Sequence, residues 1–425
     1  MEHLVILGAG TAGTVVANRL RAAIPPCQLR ITVIDQNDEH HYQPGYVYRA
    51  FGKYSRRDIV RARHCLLADG IELVLTAIDK VHPKNKQIQL AGGRRVGYDT
   101  LVIATGVTPR PDRVEGMMGP QFGKSVHQFY TLKGADRLRK ALREFAGGRL
   151  VIHICEFPIK CPVAPIEFAL LADAWLRRRG LRGKAELVFV TPFDGVFTRP
   201  ETSRQLGGLM VSQGISVETD FVIECVDNEA RQIVGYDGRR IGFDLLVTVP
   251  PNMGADYIQR SGIGDELNLV PCDPHTMEAL DLADTYVLGD AGTLPTSKSG
   301  AVTHFSAETF VDNFLAKWRA RVLSVDGSWA EERFEGHLIC FIDTGDRRAI
   351  MLDFDYETPP LPGAFPFPVI GPVPLMRPSY VSRLLKLGLA WYYWHVVLRT
   401  GRVPFPIGMI KARRYLEGLR SGSGV

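Results

Sequence analysis

Short unbroken apolar runs along the chain alternate with longer stretches in which apolar residues recur every three or four positions. Leu4-Val5-Ile6-Leu7, Ile31-Thr32-Val33-Ile34, Leu150-Val151-Ile152, Ala185 to Val190 and Asp244 to Val249 are of the first kind. Val15 to Leu20 and Phe168 to Arg179 are of the second. A strand with helices on both faces of its sheet is buried on both sides and reads as a continuous apolar run. Helices packed on that sheet show the 3.6-residue period. The alternation predicts an α/β chain with parallel sheets. Near the C-terminus the pattern changes. Leu338 to Phe354 alternates as a hairpin does. Leu384 to Leu398 is apolar with Lys386 its one charge, and it is too short to cross a bilayer as one helix.

The first strand runs directly into Gly8-Ala9-Gly10-Thr11-Ala12-Gly13, and a helix follows. Glycines there permit the tight turn and the close approach of a pyrophosphate, which the free N–H groups of the helix start can bind. The second strand ends in Asp35, placed to hold a ribose hydroxyl. The alternative is a structural glycine turn without a ligand. Two later segments point to FAD. Tyr98 to Ile103 is a strand leading into Ala104-Thr105-Gly106, a small-residue turn that can pass beside a cofactor. Thr285 to Ala291 is a strand delivering Gly289 and Asp290 to a helix start, where a carboxylate can bind a ribityl hydroxyl.

These segments divide the chain into a FAD-binding domain at 1–110 and 276–320, a second Rossmann-like domain at 111–275, and a C-terminal region at 321–425. The turn where the second domain would hold NAD(P)H is Cys155-Glu156-Phe157-Pro158-Ile159-Lys160-Cys161-Pro162-Val163-Ala164-Pro165. It contains no glycine. A backbone with a side chain at every position keeps a pyrophosphate away. The expected hydride donor has lost its site, and thiols stand in that region.

Composition narrows the class. The 425 residues suffice for two or three domains. A net charge of +5 gives no reason to expect nucleic acid. The N-terminus shows no signal-peptide pattern. The seven cysteines form no CxxC pair, and neither His40-His41 nor His153 has metal-site spacing, so no metal is expected.

The motifs Phe157 to Cys161, Asp290-Ala291 with Lys298 to Phe305, and Cys340 to Gly345 resemble those of sulfide:quinone oxidoreductases and of the flavoprotein subunit of flavocytochrome c sulfide dehydrogenase. The resemblance implies two dinucleotide-binding domains of the disulfide-reductase type and FAD. It also implies a redox-active sulfur bridge between Cys161 and Cys340 beside the flavin. Sulfide would attack that bridge, and electrons would pass through FAD to a membrane quinone. It gives Glu167 a proton-transfer role, although a surface helix carboxylate fits that position nearly as well. Lys160 could favour a thiolate, or be solvated. Lys298 and His304 could face the flavin, His304 equally well as a structural residue. Tyr42 to Tyr46 is similar to the segment lining the flavin. Many members carry a third cysteine near the position of Ser125 to Tyr130, which this chain lacks.

Trp391, Tyr392, Tyr393 and Trp394, flanked by Arg377, Arg383, Arg399, Arg402, Lys411, Arg413 and Arg414, read as an in-plane anchor on a lipid surface. The expectation is a peripheral protein of the cell membrane, with quinone held near Phe341, Phe365 and Phe367. A helix buried in a homo-oligomer interface is the alternative. Two other functions share this outline: a type II NADH:quinone oxidoreductase, which needs a second glycine-rich loop, and a catalytically silent FAD-binding module.

Overall fold

The computed structural model describes residues 1–323, 331–360, 362–365 and 371–401. Phe367 and the basic residues from Arg402 onward, part of the quinone and anchor expectations, lie outside the described residues.

Two five-stranded parallel sheets carry the molecule, as the apolar runs predict. In the first, Glu2–Leu7 is central, between Leu29–Asp35 and Thr100–Ile103, with Ile71–Leu75 and Thr285–Val287 at the edges. Its last four residues are fully buried. Thr285–Val287 follows the whole second sheet in sequence, yet pairs with Leu101 to Ile103. This return delivers the Asp290 segment to the same sheet as the glycine turn. In the second sheet Gly148–Ile154 is central, between Leu245–Val249 and Ala185–Val190, with Val126–His127 and Ile215–Glu218 outside. Each central strand ends in a turn that starts a long helix, Thr11–Ala23 in one case and Ala164–Arg178 in the other. A three-stranded antiparallel sheet accompanies each parallel one.

Leu338–Asp343 and Ala349–Phe354 form the expected antiparallel pair, Cys340 opposite Leu352. Helix Ala164–Arg178 packs against Leu338–Asp343, which brings the turn after the second central strand to this hairpin. Helix Tyr380–Tyr392 crosses the same hairpin, then winds through a π-helical turn, Tyr393–Val397, and a last short turn, Leu398–Thr400. Among the described residues no helix is long and apolar enough to cross a membrane.

The C-terminal helix differs from its sequence reading in one respect. Tyr380, Leu384 and Trp391 are exposed at 57%, 68% and 65%, but Trp394 is buried at 2%. At α-helical spacing Trp394 would follow Trp391 on the outer face. The π-helical turn changes the register and directs Tyr393 and Trp394 inward. The Trp394 indole N–H donates to the Asp58 carbonyl at 2.9 Å, and the Arg61 guanidinium lies over its ring at 4.7 Å.

Candidate active site

The first strand-to-helix turn is a cradle. Gly8 has φ +98°, and a Cβ there would meet the Ala104 carbonyl at 2.5 Å. A Cβ on Gly13 would fall on the Gly8 carbonyl oxygen, so neither position admits a side chain. A Cβ on Gly10 would meet nothing within 4 Å, which leaves open space before the start of helix Thr11–Ala23. Asp35 accepts from the Ala9 N–H at 2.8 Å, from the Gln36 N–H at 2.7 Å, and from Arg63. Gly106 (φ +63°) and Gly289 (φ +64°) make the two neighbouring turns, and the Thr105 hydroxyl meets the Tyr257 hydroxyl at 3.2 Å. Asp290 presents a buried Oδ1 that has no hydrogen-bond partner among the described residues. Burial pushes its carboxyl up, against the pull of Lys298 and Lys160. A buried acceptor without a donor is expensive unless a ligand supplies one. The free helix start, the open space and the orphaned acceptor fit the pyrophosphate and polyol chain of FAD.

The second turn is built differently. The Cys161 N–H donates to the Lys298 carbonyl at 2.5 Å, and Lys160 and Lys298 form a short bridge. The thiol turn is thereby laid directly on the Asp290 segment. The Cys161 carbonyl accepts from the Ala164 N–H at 2.8 Å and from the Tyr130 hydroxyl at 3.4 Å. Tyr130 is buried. Cys161 has φ +47°, a left-handed conformation uncommon for a side-chain-bearing residue and concentrated at functional sites.

Cys340, distant in sequence, faces the same interior. Burial pushes its thiol up, and the nearby Cys161 pushes it further. Cys161 itself is pushed up to about 11, by burial and then by Glu167. Lys386 opposes the shift at both thiols. All seven cysteines are unbridged, so this pair stands as two thiols.

A buried charged cluster backs the thiols. Glu167, in the first turn of its helix and 3% exposed, pairs with the Lys386 ammonium at 2.5 Å. Its Oε1 also accepts from the Asp343 N–H at 3.3 Å. Lys386 donates to the Phe341 carbonyl at 2.5 Å. The buried Asp343 carboxylate accepts from the Tyr48 hydroxyl at 2.9 Å and from the Gly345 N–H at 2.8 Å. Lys53 and Arg383 lie 3.7 and 3.6 Å from it. Two carboxylates can be kept in this interior because each has cationic partners.

Lys386 escapes the sequence reading, which takes it as the lone charge of an anchor. The signal was present, since a single lysine in an apolar stretch is rarely buried unless paired. The structure also changes the part of Lys160. Its ammonium reaches the Gln43 amide oxygen at 3.1 Å, and the cation acting on both thiols is Lys386. Gln43 and the buried Tyr42 belong to the Tyr42 to Tyr46 segment, so that segment lines the site. The Lys298 ammonium is taken up by the carbonyls of Asp290 (2.7 Å) and Gly292 (3.0 Å). His304 is buried, 3.4 Å from Glu308, and neither ring nitrogen makes a hydrogen bond among the described residues. Cys155 is packed in the core of the second sheet, 3.4 Å from the Thr248 hydroxyl, its thiol pushed up to about 12 by burial. Among the described residues no cluster of His, Cys, Asp and Glu could hold a metal.

Residues 2–153 match the family described as pyridine nucleotide-disulphide oxidoreductase. The mitochondrial sulfide:quinone oxidoreductase of Mus musculus is 24% identical over 410 residues, 93% of this chain and 86% of the mouse protein. The sulfide-quinone reductase of Aquifex aeolicus is 29% identical over 200 residues, 46% of this chain and 45% of its own. The crystal structure of the Aquifex aeolicus sulfide:quinone oxidoreductase superposes with a TM-score of 0.78 at 20% identity, covering 98% of this chain and 95% of that one. A type II NADH:quinone oxidoreductase of Staphylococcus aureus is 28% identical over 123 residues, only 28% of this chain. The fold is that of the disulfide-reductase flavoproteins, and over nearly its whole length the chain is similar to sulfide:quinone oxidoreductases.

Proposed function

We propose that this protein oxidises sulfide through a Cys161–Cys340 sulfur bridge and passes the electrons through FAD to a quinone. The observation that carries the reading is the convergence of Cys161 and Cys340 on one interior. It lies between the dinucleotide cradle and a buried Glu167–Lys386 pair, at a turn that contains no glycine.

The residues account for the chemistry as follows. Hydrosulfide attacks one sulfur of the oxidised bridge. The Cys–Cys bond breaks, a new S–S bond forms, and one cysteine carries a persulfide while the other leaves as a thiolate. Burial makes that thiolate strongly basic, so its electron pair is readily given up. FAD, when bound, supplies the two-electron acceptor. The Lys386 ammonium holds negative charge at either sulfur while electrons move. Glu167, its carboxyl pushed up by burial against the pull of Lys386, is placed to take or return the thiol proton. The cycle needs both thiols, and neither the packed Cys155 nor the exposed Cys27 and Cys65 can replace one.

The acceptor side rests on the C-terminal helix. Tyr380, Leu384, Leu387 and Trp391 form one exposed apolar face, with Arg377 and Arg399 beside it. Such a face suits the plane of an anionic lipid surface and a peripheral location. The inner side of the same helix carries Lys386 to the Phe341 carbonyl, so a lipid-soluble quinone arriving along the helix would reach the thiol and flavin region directly.

The test is anaerobic reduction of the protein's flavin band, with sulfide and NADH added separately and a soluble quinone added afterwards. Rapid bleaching by sulfide, reversal by quinone, and flotation with anionic but not neutral liposomes are expected. Bleaching by NADH alone would overturn the reading in favour of an NADH dehydrogenase.

A further inference from the structure

The π-helical turn of the C-terminal segment touches the dinucleotide cradle, and the hydrogen bonds there have a defined direction. His40 Nδ1 lies 3.0 Å from the Ala9 carbonyl, which can only accept, so Nδ1 carries the proton. Burial, reinforced by Arg63, depresses His40 to about 3, so the ring is neutral and Nε2 must accept. Its partner at 2.6 Å is the Tyr393 hydroxyl, which therefore donates. The Thr11 hydroxyl, 2.7 Å from the same oxygen, then donates to Tyr393. The circuit runs Thr11 to Tyr393 to His40 to Ala9. Both ends lie on the Gly8–Gly13 turn, and the middle is supplied by a residue nearly four hundred positions away.

Further contacts hold that segment in place. The Asn18 amide, on the helix that starts at Thr11, donates to the Leu398 carbonyl at 2.7 Å. A Cβ on Gly401 would meet the Arg19 side chain closer than any real contact. The Tyr42 and Tyr393 rings lie 5.0 Å apart, and the Tyr42 segment also bonds Lys160. The last helix is thus packed along the first one, with its tyrosine at the phosphate end.

We infer that Tyr393 is a positioning residue for the dinucleotide, and that docking of the C-terminal helix and retention of FAD are thermodynamically linked. The inference rests on the FAD-binding part of the proposed function and on no step of the sulfur chemistry. A loop fixed by a bound pyrophosphate cannot move to satisfy Thr11 and His40 when the Tyr393 hydroxyl is removed, whereas the free loop can. The loss therefore falls on the bound state. Linkage is reciprocal, so FAD must protect the helix by the same factor by which the helix tightens FAD.

The test uses the full chain, stripped of flavin and titrated with FAD while flavin fluorescence is followed. Tyr393→Phe is expected to weaken FAD by about 10-fold, the equivalent of one buried hydrogen bond left unmade. Tyr236→Phe, which changes an exposed tyrosine of the second domain, is expected to leave the affinity unchanged. Limited proteolysis within 380–401 should slow on adding FAD to the unmodified chain, and slow less for Tyr393→Phe. Equal FAD affinity in Tyr393→Phe and the unmodified chain, with no protection of the helix by FAD, overturns the inference and leaves the proposed function standing. An unmodified chain that binds no FAD overturns both.

Discussion

The two strand-to-helix turns at the centres of the two parallel sheets occupy the same topological place and are built oppositely. Gly8–Gly13 admits no side chain where the backbone must close up, and leaves open space before its helix. Cys155–Val163 has a side chain at every position, and Cys161 adopts a left-handed backbone without being glycine. One turn is shaped to receive a ligand's phosphates. The other is filled from within, and its thiol is laid against the Asp290 segment that completes the first site. The same strand-to-helix frame thus carries a glycine cradle at one turn and a glycine-free, thiol-bearing turn at the other. Fold alone would not reveal this.

The contrast breaks most sharply at the thiols. Cys161→Ala and Cys340→Ala should each abolish flavin reduction by sulfide while leaving FAD bound, because the sulfur turn contributes no atom to the phosphate cradle. Stopped-flow absorbance with sulfide, alongside the flavin-to-protein ratio, checks both halves. Loss of flavin in Cys161→Ala would mean that the second turn still serves a dinucleotide.

The complementary change belongs to the first turn. Gly13→Ala should weaken FAD binding, since its Cβ falls on the Gly8 carbonyl and no flexible side chain is there to yield. In a titration of the flavin-stripped variant, FAD should bind more than about 10-fold more weakly, the change expected when a ligand gives up more than about 1.4 kcal/mol. Unchanged affinity would show that helix and strand can separate without harming the cradle.

Lys386 comes next. Lys386→Met leaves Glu167 buried without its cation, a change that costs about 3–5 kcal/mol in comparable buried pairs. Adding Glu167→Gln should restore most of that stability. Sulfide-driven flavin reduction should stay slower by about 100-fold in the double variant, the lower range for loss of a positioned proton-transfer group. Denaturant unfolding and single-turnover rates separate the two effects. Recovery of both in the double variant would reduce the pair to a packing element.

The legible parts of this molecule were those with local chemistry. The glycine turn, the Asp290 strand and the glycine-free turn each fix their structure within a few residues, and the apolar runs fixed the strands around them. Cys161 and Cys340 could be joined only by resemblance, because helix Ala164–Arg178 packing on Leu338–Asp343 is a tertiary event without a local signature. Lys386 and Tyr393 were misassigned for a different reason. Both sit in a segment whose composition fits an anchor, and composition reports the outer face of a helix as readily as the inner one. The π-helical turn that sends Tyr393 to Thr11 leaves no mark in the hydrophobic period.

The smallest effect concerns the thiol that stands nearest to Cys161 in sequence. Cys155 starts the second turn but sits among Val151, Val188 and Leu246 in the core of that sheet. Cys155→Ala should leave the sulfide rate within about twofold and lower stability by about 1 kcal/mol near neutral pH, a typical loss for a small buried side chain. Its pH dependence is more telling than its size. Burial raises this thiol from about 9 to about 12, so the folded state keeps it neutral where the unfolded chain ionises it. A raised value contributes stability that is complete below about 9 and is lost as the pH climbs towards 12. Alanine has nothing to ionise, so a gap of about 1 kcal/mol should close within about one pH unit above 9 and then reverse in sign, at about 1.4 kcal/mol per unit. Urea unfolding at stepped alkaline pH measures the gap. A gap that stays constant would place Cys155 in contact with solvent or with a cation, and would reopen it as a partner for the sulfur carried by Cys161.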